Sequence, residues 1–312
     1  MDKECPWIYL SARGNDGLGG QILSRIGLMA FAKARGFRYC HPSFNHIHHV
    51  RDAERELEKF INLSSAASLL FGDFTECAMF GDFTLPMKSY DIDLDPILRA
   101  KEFEIPCVVG TPTLVSCRRT PICGAIFSTS PDQVQPILPI IRNAFTSMKT
   151  SPKSRSFNLN YQNVAIHKRR GDAPSIRTTT NVEVLYAMRK LREIYGNSLH
   201  FRIYTEGPKK GLNLLRGKEN VTLHVSEETK RSGTKGYLFN RRNLEDLKFT
   251  FEKLVSADIL VVSNSAFSYA AALYSTGTVF YFHRGKGSFS GCCIEGFTRK
   301  PLSSWIPLYI EN

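Results

Sequence analysis

Two adjacent arginines, Arg169 and Arg170, close a short apolar run in Asn163-Val164-Ala165-Ile166-His167-Lys168-Arg169-Arg170-Gly171-Asp172. This is the pattern of a buried strand that delivers cations to the loop at its carboxyl end. Ligands of open α/β sheets bind at such ends. Guanidinium forks match phosphate oxygens, often bidentately. The chemistry these residues could do is to grip a diphosphate, as in an activated sugar nucleotide. A second candidate strand end is Tyr204-Thr205-Glu206-Gly207-Pro208. Its carboxylate can accept two hydrogen bonds from a base edge or a ribose. The third is Val261-Val262-Ser263-Asn264-Ser265-Ala266-Phe267-Ser268, an apolar strand meeting small polar residues at a helix start. Ser263, Asn264 and Ser265 can cap that helix, and first-turn amides attract phosphate. Each piece alone also fits an ordinary turn or cap. Together they point to one sheet edge.

The elements that must position these residues are legible as an alternation. Val164–His167, Leu199–Thr205, Val221–Val225, Ile259–Ser263 and Val279–Phe282 read as strands. Val182–Tyr195, Leu212–Leu215, Leu244–Val255 and Phe267–Leu273 read as helices between them. Strands alternating with helices imply a parallel, doubly wound sheet. The amino-terminal half opens the same way, with a strand at Trp7–Ser11, a glycine-rich loop through Gly17-Leu18-Gly19-Gly20-Gln21, and a helix stopping at Gly36. Glycines there let backbone amides approach a ligand. The spacing is neither GxGxxG nor a Walker loop. A charged helical run spans Asp52–Lys59. Residues 62–130 read as irregular, with strand candidates at Cys107–Val109 and Thr113–Val115. Helical pattern returns over Val134–Phe145.

The polar, proline-bearing stretch Thr150–Ser156 marks a domain boundary. It separates residues 1–150 from 151–312, with roughly the last 20 residues able to return to the first domain. The charge changes at the same place. Residues 1–150 hold 16 basic and 16 acidic side chains, whereas 151–312 hold 25 and 13 and so supply the whole net +12. A basic half suits an anionic ligand, and nucleic acid is the competing partner. Nucleic-acid binding calls for aromatic residues interleaved on the basic face. Here the cations run into Gly171-Asp172 instead. Eight cysteines are scattered without a CxxC pair, so neither a zinc framework nor a disulfide scaffold is expected. His41, His46, His48 and His49 cluster without helical zinc spacing, and they read as an acceptor-facing loop rather than a metal site. No apolar stretch is long enough for a membrane span. The expectation is a soluble, cytoplasmic protein, or the soluble portion of a membrane-anchored enzyme.

His167-x-Arg169-Arg170-Gly171-Asp172 resembles the signature of the fucosyltransferases that make α-1,2 and α-1,6 linkages and, more loosely, of the protein O-fucosyltransferases. Gly17-Leu18-Gly19-Gly20-Gln21 is similar to their amino-terminal glycine element. Ile203-Tyr204-Thr205-Glu206 resembles their second motif, and Asp246–Ser268 resembles their third. The resemblance covers most of 160–285 but only the opening loop and helix of 1–150. It implies a GT-B fold of two Rossmann-like domains. It implies an inverting, metal-independent transfer from GDP-fucose to a glycan or glycoside acceptor, with no cofactor besides the nucleotide-sugar donor. By that resemblance Arg169 holds the β-phosphate, while Arg170 and Asp172 shape its loop. His167 borders the nucleotide, and Glu206 reads guanine or ribose. Ser265 and Ser268 meet the diphosphate, with Asn264 and Phe267 beside them. Gly19, Gly20 and Gln21 belong to the substrate-binding set. Asp16 is the first candidate for the general base, ahead of His41 and His46. Three departures leave the donor open, a UDP-pentose included. Glu206 stands where the family has aspartate, Tyr269-Ala270 replaces an aromatic pair, and Lys168 replaces an apolar or small residue.

Overall fold

Apolar strands buried on both faces need helices on both sides, and parallel pairing needs a crossover between each strand and the next. Both units of this protein contain a parallel sheet, and in the second unit β5 and β8 are buried almost throughout. The computed structural model describes residues 8–12, 17–44, 47, 50, 53–72, 88–92, 113–117, 131–148, 161–170, 178–207, 209–226, 244–283 and 301–310. The chain divides into two compact units, Met1–Ile47 with Glu54–Met148, and His48–Ala53 with Lys149–Asn312. Among the described residues no helix is long and apolar enough to cross a membrane.

The first unit contains β1 (Ile8–Ala12), α1 (Leu18–Arg35), β2 (Arg38–Tyr39), α2 (Glu54–Ile61), α3 (Leu63–Phe71), β3 (Lys88–Ile92) and β4 (Thr113–Cys117). The short α4 (Pro131–Val134) then runs through a 3-10 turn at Gln135–Ile137 into α5 (Leu138–Ser147). Its sheet has the order β2-β1-β4-β3, parallel throughout. Helix α1 is buried along Leu18–Ala32 and stops at Gly36, whose φ of 71° is the left-handed conformation glycine adopts freely. The glycine element is therefore not all loop. Gly17 is the N-cap, and Gly19, Gly20 and Gln21 form the first turn of α1, all three buried. Residues 62–130 are not all irregular either. Leu63–Phe71 is a helix in which Leu63, Ala66, Ala67 and Leu70 fall at helical spacing and are buried. The candidate strand Cys107–Val109 lies outside the described residues.

Arg25, only 1% exposed, organises the unit. Its Nε donates to the Pro42 carbonyl (3.0 Å), Nη1 to Gln21 (3.1 Å) and Nη2 to Ser43 (2.9 Å). The guanidinium also lies over the Phe44 ring, 4.7 Å from its centroid. Glu58 of α2 completes the cluster. It bonds His41 Nε2 at 2.8 Å and accepts from the Phe44 amide at 3.1 Å. The loop after β2 is thus held from α1 and α2 together.

The second unit contains β5 (Gln162–Lys168), α6 (Asn181–Tyr195), β6 (Leu199–Glu206), β7 (Val221–Ser226), α7 (Leu244–Val255), β8 (Ile259–Val262), α8 (Ala266–Tyr274), β9 (Thr278–His283) and β10 (Ile306–Tyr309). The sheet order is β10-β9-β8-β5-β6-β7, parallel throughout. Counted within the unit this is 3-2-1-4-5-6, the doubly wound Rossmann order, with its switch point between β5 and β8. Val164, Ile166, Phe201, Ile203, Ile259 and Val261 share a core with Val184, Met188 and Leu191 of α6. Gly277 permits the tight entry to β9, because a Cβ there would meet the Ala257 and Asp258 carbonyl oxygens at 2.3 and 2.6 Å.

One further expectation changes. Leu212–Leu215 is a run of turns, not a helix. Gly211 and Gly217, at φ 84° and 67°, bracket it and leave too few residues to nucleate one. Ile306–Tyr309 is a strand paired with β9, Ile306 opposite Phe280.

Burial alone would raise the Glu58 carboxyl, but the His41 bond and charge, the Phe44 amide and Arg25 hold it below the ordinary carboxylate range. A depressed folded value stabilises above the unfolded value and is lost as pH falls through the folded one. Glu58→Gln should therefore lower the urea midpoint at pH 7, and the gap to wild type should close as the medium is acidified. A gap independent of pH would contradict this account of the cluster.

Candidate functional site

Parallel strands deliver their carboxyl ends to one edge, and strand periodicity then sorts the side chains. Along β5, Val164, Ile166 and Lys168 face α6, so His167 and the following Arg169 fall on the opposite side. His167 is 7% exposed. Its Nδ1 lies 2.7 Å from Ser263 Oγ, just past β8. This bond joins the two strands that flank the switch point. The Phe267 ring packs beside His167, centroids 5.8 Å apart.

Strand register sets the next contact. His167 is opposite Tyr204 and Lys168 is opposite Thr205, so the following step brings Arg169 beside Glu206. Arg169 Nη1 and Glu206 Oε1 form an ion pair at 3.2 Å, with side chains 13% and 14% exposed. Arg170 turns along β6, donating from Nε to the Glu206 carbonyl (3.1 Å) and from Nη1 to that of Lys210 (3.5 Å). Two guanidinium groups and one carboxylate therefore share the adjoining carboxyl ends of β5 and β6.

Past β8 the serines tie the turn to α8. Ser265 is the N-cap, and its Oγ accepts from the Phe267 amide at 3.3 Å. Ser268, fully buried, bonds the carbonyls of Ser263 and Ser265, each at 3.3 Å. Both hydroxyls serve the turn in this structure. The Asn264 side-chain oxygen is buried with no hydrogen-bond partner among the described residues.

A cleft enclosing ≈ 370 Å³ of atom-free space, part of it open to solvent, lies at this edge. His167, Tyr204, Thr205, Glu206 and Phe267 line it, joined by Ser226 from β7 and Asp246, Leu247 and Thr250 from α7. Its floor is stiffened by Tyr204 stacked on His224, centroids 4.7 Å apart and planes within 9°. Burial, and then the nearby Arg202, Lys253 and His200, lower the His224 value, with Asp246 opposing them. The neutral ring is favoured.

The structure thus gathers His167, Arg169, Arg170, Glu206, Asn264, Ser265, Phe267 and Ser268 at one edge of the second unit. Gly19, Gly20 and Gln21 lie in the first unit, at the head of α1. Asp16, His46 and Asp172 lie outside the described residues. Asp246 was missed as a site residue. An acid in the first turn of a helix reads as dipole compensation, and only the position of α7 above the cleft gives it another use. Among the described residues no three His, Cys, Asp or Glu side chains are placed to hold a metal ion.

No family model matches the chain, and no curated protein matches it. Several solved structures do. One is NodZ α-1,6-fucosyltransferase co-crystallised with GDP, at 14% identity over 89% of this chain and 95% of that one, with a TM-score of 0.48. Another is a variant of Arabidopsis thaliana FUT1 in complex with GDP, at 10% identity over 98% and 78%, with a TM-score of 0.48. A third is fucosyltransferase NodZ from Bradyrhizobium, at 13% identity over 86% and 94%, with a TM-score of 0.47.

Ser263→Ala would remove the hydroxyl that bonds both His167 Nδ1 and Ser268 Oγ. A buried group left unsatisfied costs about 1–3 kcal/mol. Urea unfolding should show a loss of that size, and an unchanged midpoint would refute the bracing role of the His167–Ser263 bond.

Proposed function

We propose that this chain is a glycosyltransferase. In this reading the second unit binds a nucleoside-diphosphate sugar, GDP-fucose in the first instance. The sugar passes with inversion to a hydroxyl of a glycan or glycoside acceptor. The observation that carries the reading is the seating of Arg169 at the switch-point edge, beside a cleft with a carboxylate on either wall. Open α/β sheets bind nucleotides at such a crevice. Arg169 and Arg170 supply charge for a diphosphate, and the first-turn amides of α8 add to it. Glu206 and Asp246 border the cleft, and a carboxylate suits the N–H donors of a guanine edge.

In the transfer the acceptor oxygen attacks the anomeric carbon from the face opposite the diphosphate. The carbon–acceptor bond forms as the bond to the phosphate oxygen breaks. The acceptor proton goes to a base, for which Asp16, between β1 and α1, is the proposed carboxylate. Positioned general-base catalysis is worth roughly 10²–10⁴ in rate. The negative charge that grows on the leaving diphosphate is met by Arg169. One such donor is commonly worth on the order of 3 kcal/mol. Fixed cations can do this without a metal ion, so metal independence belongs to the proposal.

Calorimetry with GDP, UDP, ADP and their sugars tests the reading. One nucleoside diphosphate should bind clearly better than the others, GDP foremost. Arg169→Ala should weaken that binding and, with transfer assayed, lower kcat by roughly 10²–10³. Asp246→Asn should flatten the preference among bases, and EDTA should leave transfer unchanged. Absence of binding to every diphosphate, or full turnover by Arg169→Ala, would overturn the proposal.

A further inference from the structure

Lys168 is an ammonium in a row of core positions. Strand alternation places it with Val164 and Ile166 on the α6 face of β5, and it is 3% exposed. Its Nζ donates to the Thr179 carbonyl. Thr179, fully buried, returns its own amide to the Arg169 carbonyl at 2.8 Å. The Lys168 carbonyl accepts from Thr205 Oγ1 at 2.8 Å. The residue after Thr179 is equally fixed. Thr180 caps α6 in a reciprocal box with Glu183, whose amide lies 3.2 Å from Thr180 Oγ1 and whose carboxylate lies 2.7 Å from the Thr180 amide. The backbone of Arg169 is therefore pinned through Lys168 and Thr179 to the head of α6.

We propose that Lys168 is a positioning residue for anion binding, its buried ammonium holding Thr179 and, through Thr179, the main chain of Arg169. This rests on the reading of Arg169 as a diphosphate ligand. A hydrophobic side chain would fill the same place at less desolvation cost. The ammonium adds a donor for the Thr179 carbonyl and a positive charge behind the arginines.

The same charge makes the device sensitive to pH. The charged groups acting on Lys168 are Arg170, from the end of β5, and Glu183, from α6. Burial and then Arg170 lower the ammonium to about 8, against the pull of Glu183. A diphosphate bound by the arginines offsets their repulsion and so favours the protonated lysine. Binding near pH 8 must then take up protons, and affinity must fall as pH rises through 8. The arginines stay charged throughout and cannot cause that fall.

The test is calorimetric titration of GDP, with UDP alongside, into wild type, Lys168→Met and Lys168→Arg between pH 7 and pH 9. Wild-type affinity should drop roughly 3–10-fold across this range, and binding at pH 8 should show proton uptake between buffers of different ionisation enthalpy. Lys168→Met should bind more weakly than wild type at pH 7, and its pH profile should be flatter. Lys168→Arg should likewise lose the fall. A purely structural lysine predicts that Lys168→Met loses stability yet keeps the wild-type pH profile. That result, or wild-type binding without proton uptake, would overturn the proposal and leave the diphosphate reading standing. If Lys168→Met does not fold, the wild-type proton uptake decides. Failure of both nucleotides to bind would overturn the two readings together.

Discussion

The candidate site depends on β5 lying between β8 and β6. This order puts the His167 ring against Ser263 on one side and carries Arg169 to Glu206 on the other. Neither contact is local in sequence. Both follow once the parallel register is set, because each strand's last residues then reach the same edge. A one-residue slip of β5 would exchange the faces of His167 and Lys168. The imidazole would enter the α6 core and the ammonium would enter the cleft. The apolar face formed by Val164, Ile166, Phe201 and Ile203 prevents that slip.

Charge at this edge is arranged rather than merely abundant. Arg169 is paired with a carboxylate, Arg170 is spread over two main-chain carbonyls, and Lys168 is buried behind them. Each cation is held by an acceptor the fold supplies, so the cluster tolerates its own repulsion. On the proposed reading, a diphosphate would compete with Glu206 for a guanidinium that is already oriented. That is preorganisation: little side-chain freedom remains to be lost on binding.

Much of this could be read from the chain. Periodicity located α7 at Leu244–Val255, and the apolar runs located β5, β6, β7, β8 and β9 to within a residue or two. What escaped had physical reasons. β10 is a short strand with exposed Ile306 and Tyr309, so it lacks the continuous apolar run of a buried one. The helical start at Gly19 and Gly20 was hidden because glycine lowers helix propensity, and burial of α1 outweighs that local preference. The pairing of Arg169 with Glu206 needs the register between two strands, which no single segment encodes. Lys168 stood out only as an unusual residue within a motif. The clamp proposed for it needs Thr179, a residue without any sequence signal of its own.

The most direct test of the account is a crystal structure of the protein with GDP bound. The account predicts diphosphate oxygens within hydrogen-bonding distance of the Arg169 guanidinium, with the base in the cleft between Glu206 and Asp246. A well-ordered nucleotide bound elsewhere, with Arg169 still closed on Glu206 and touching no phosphate, would contradict it.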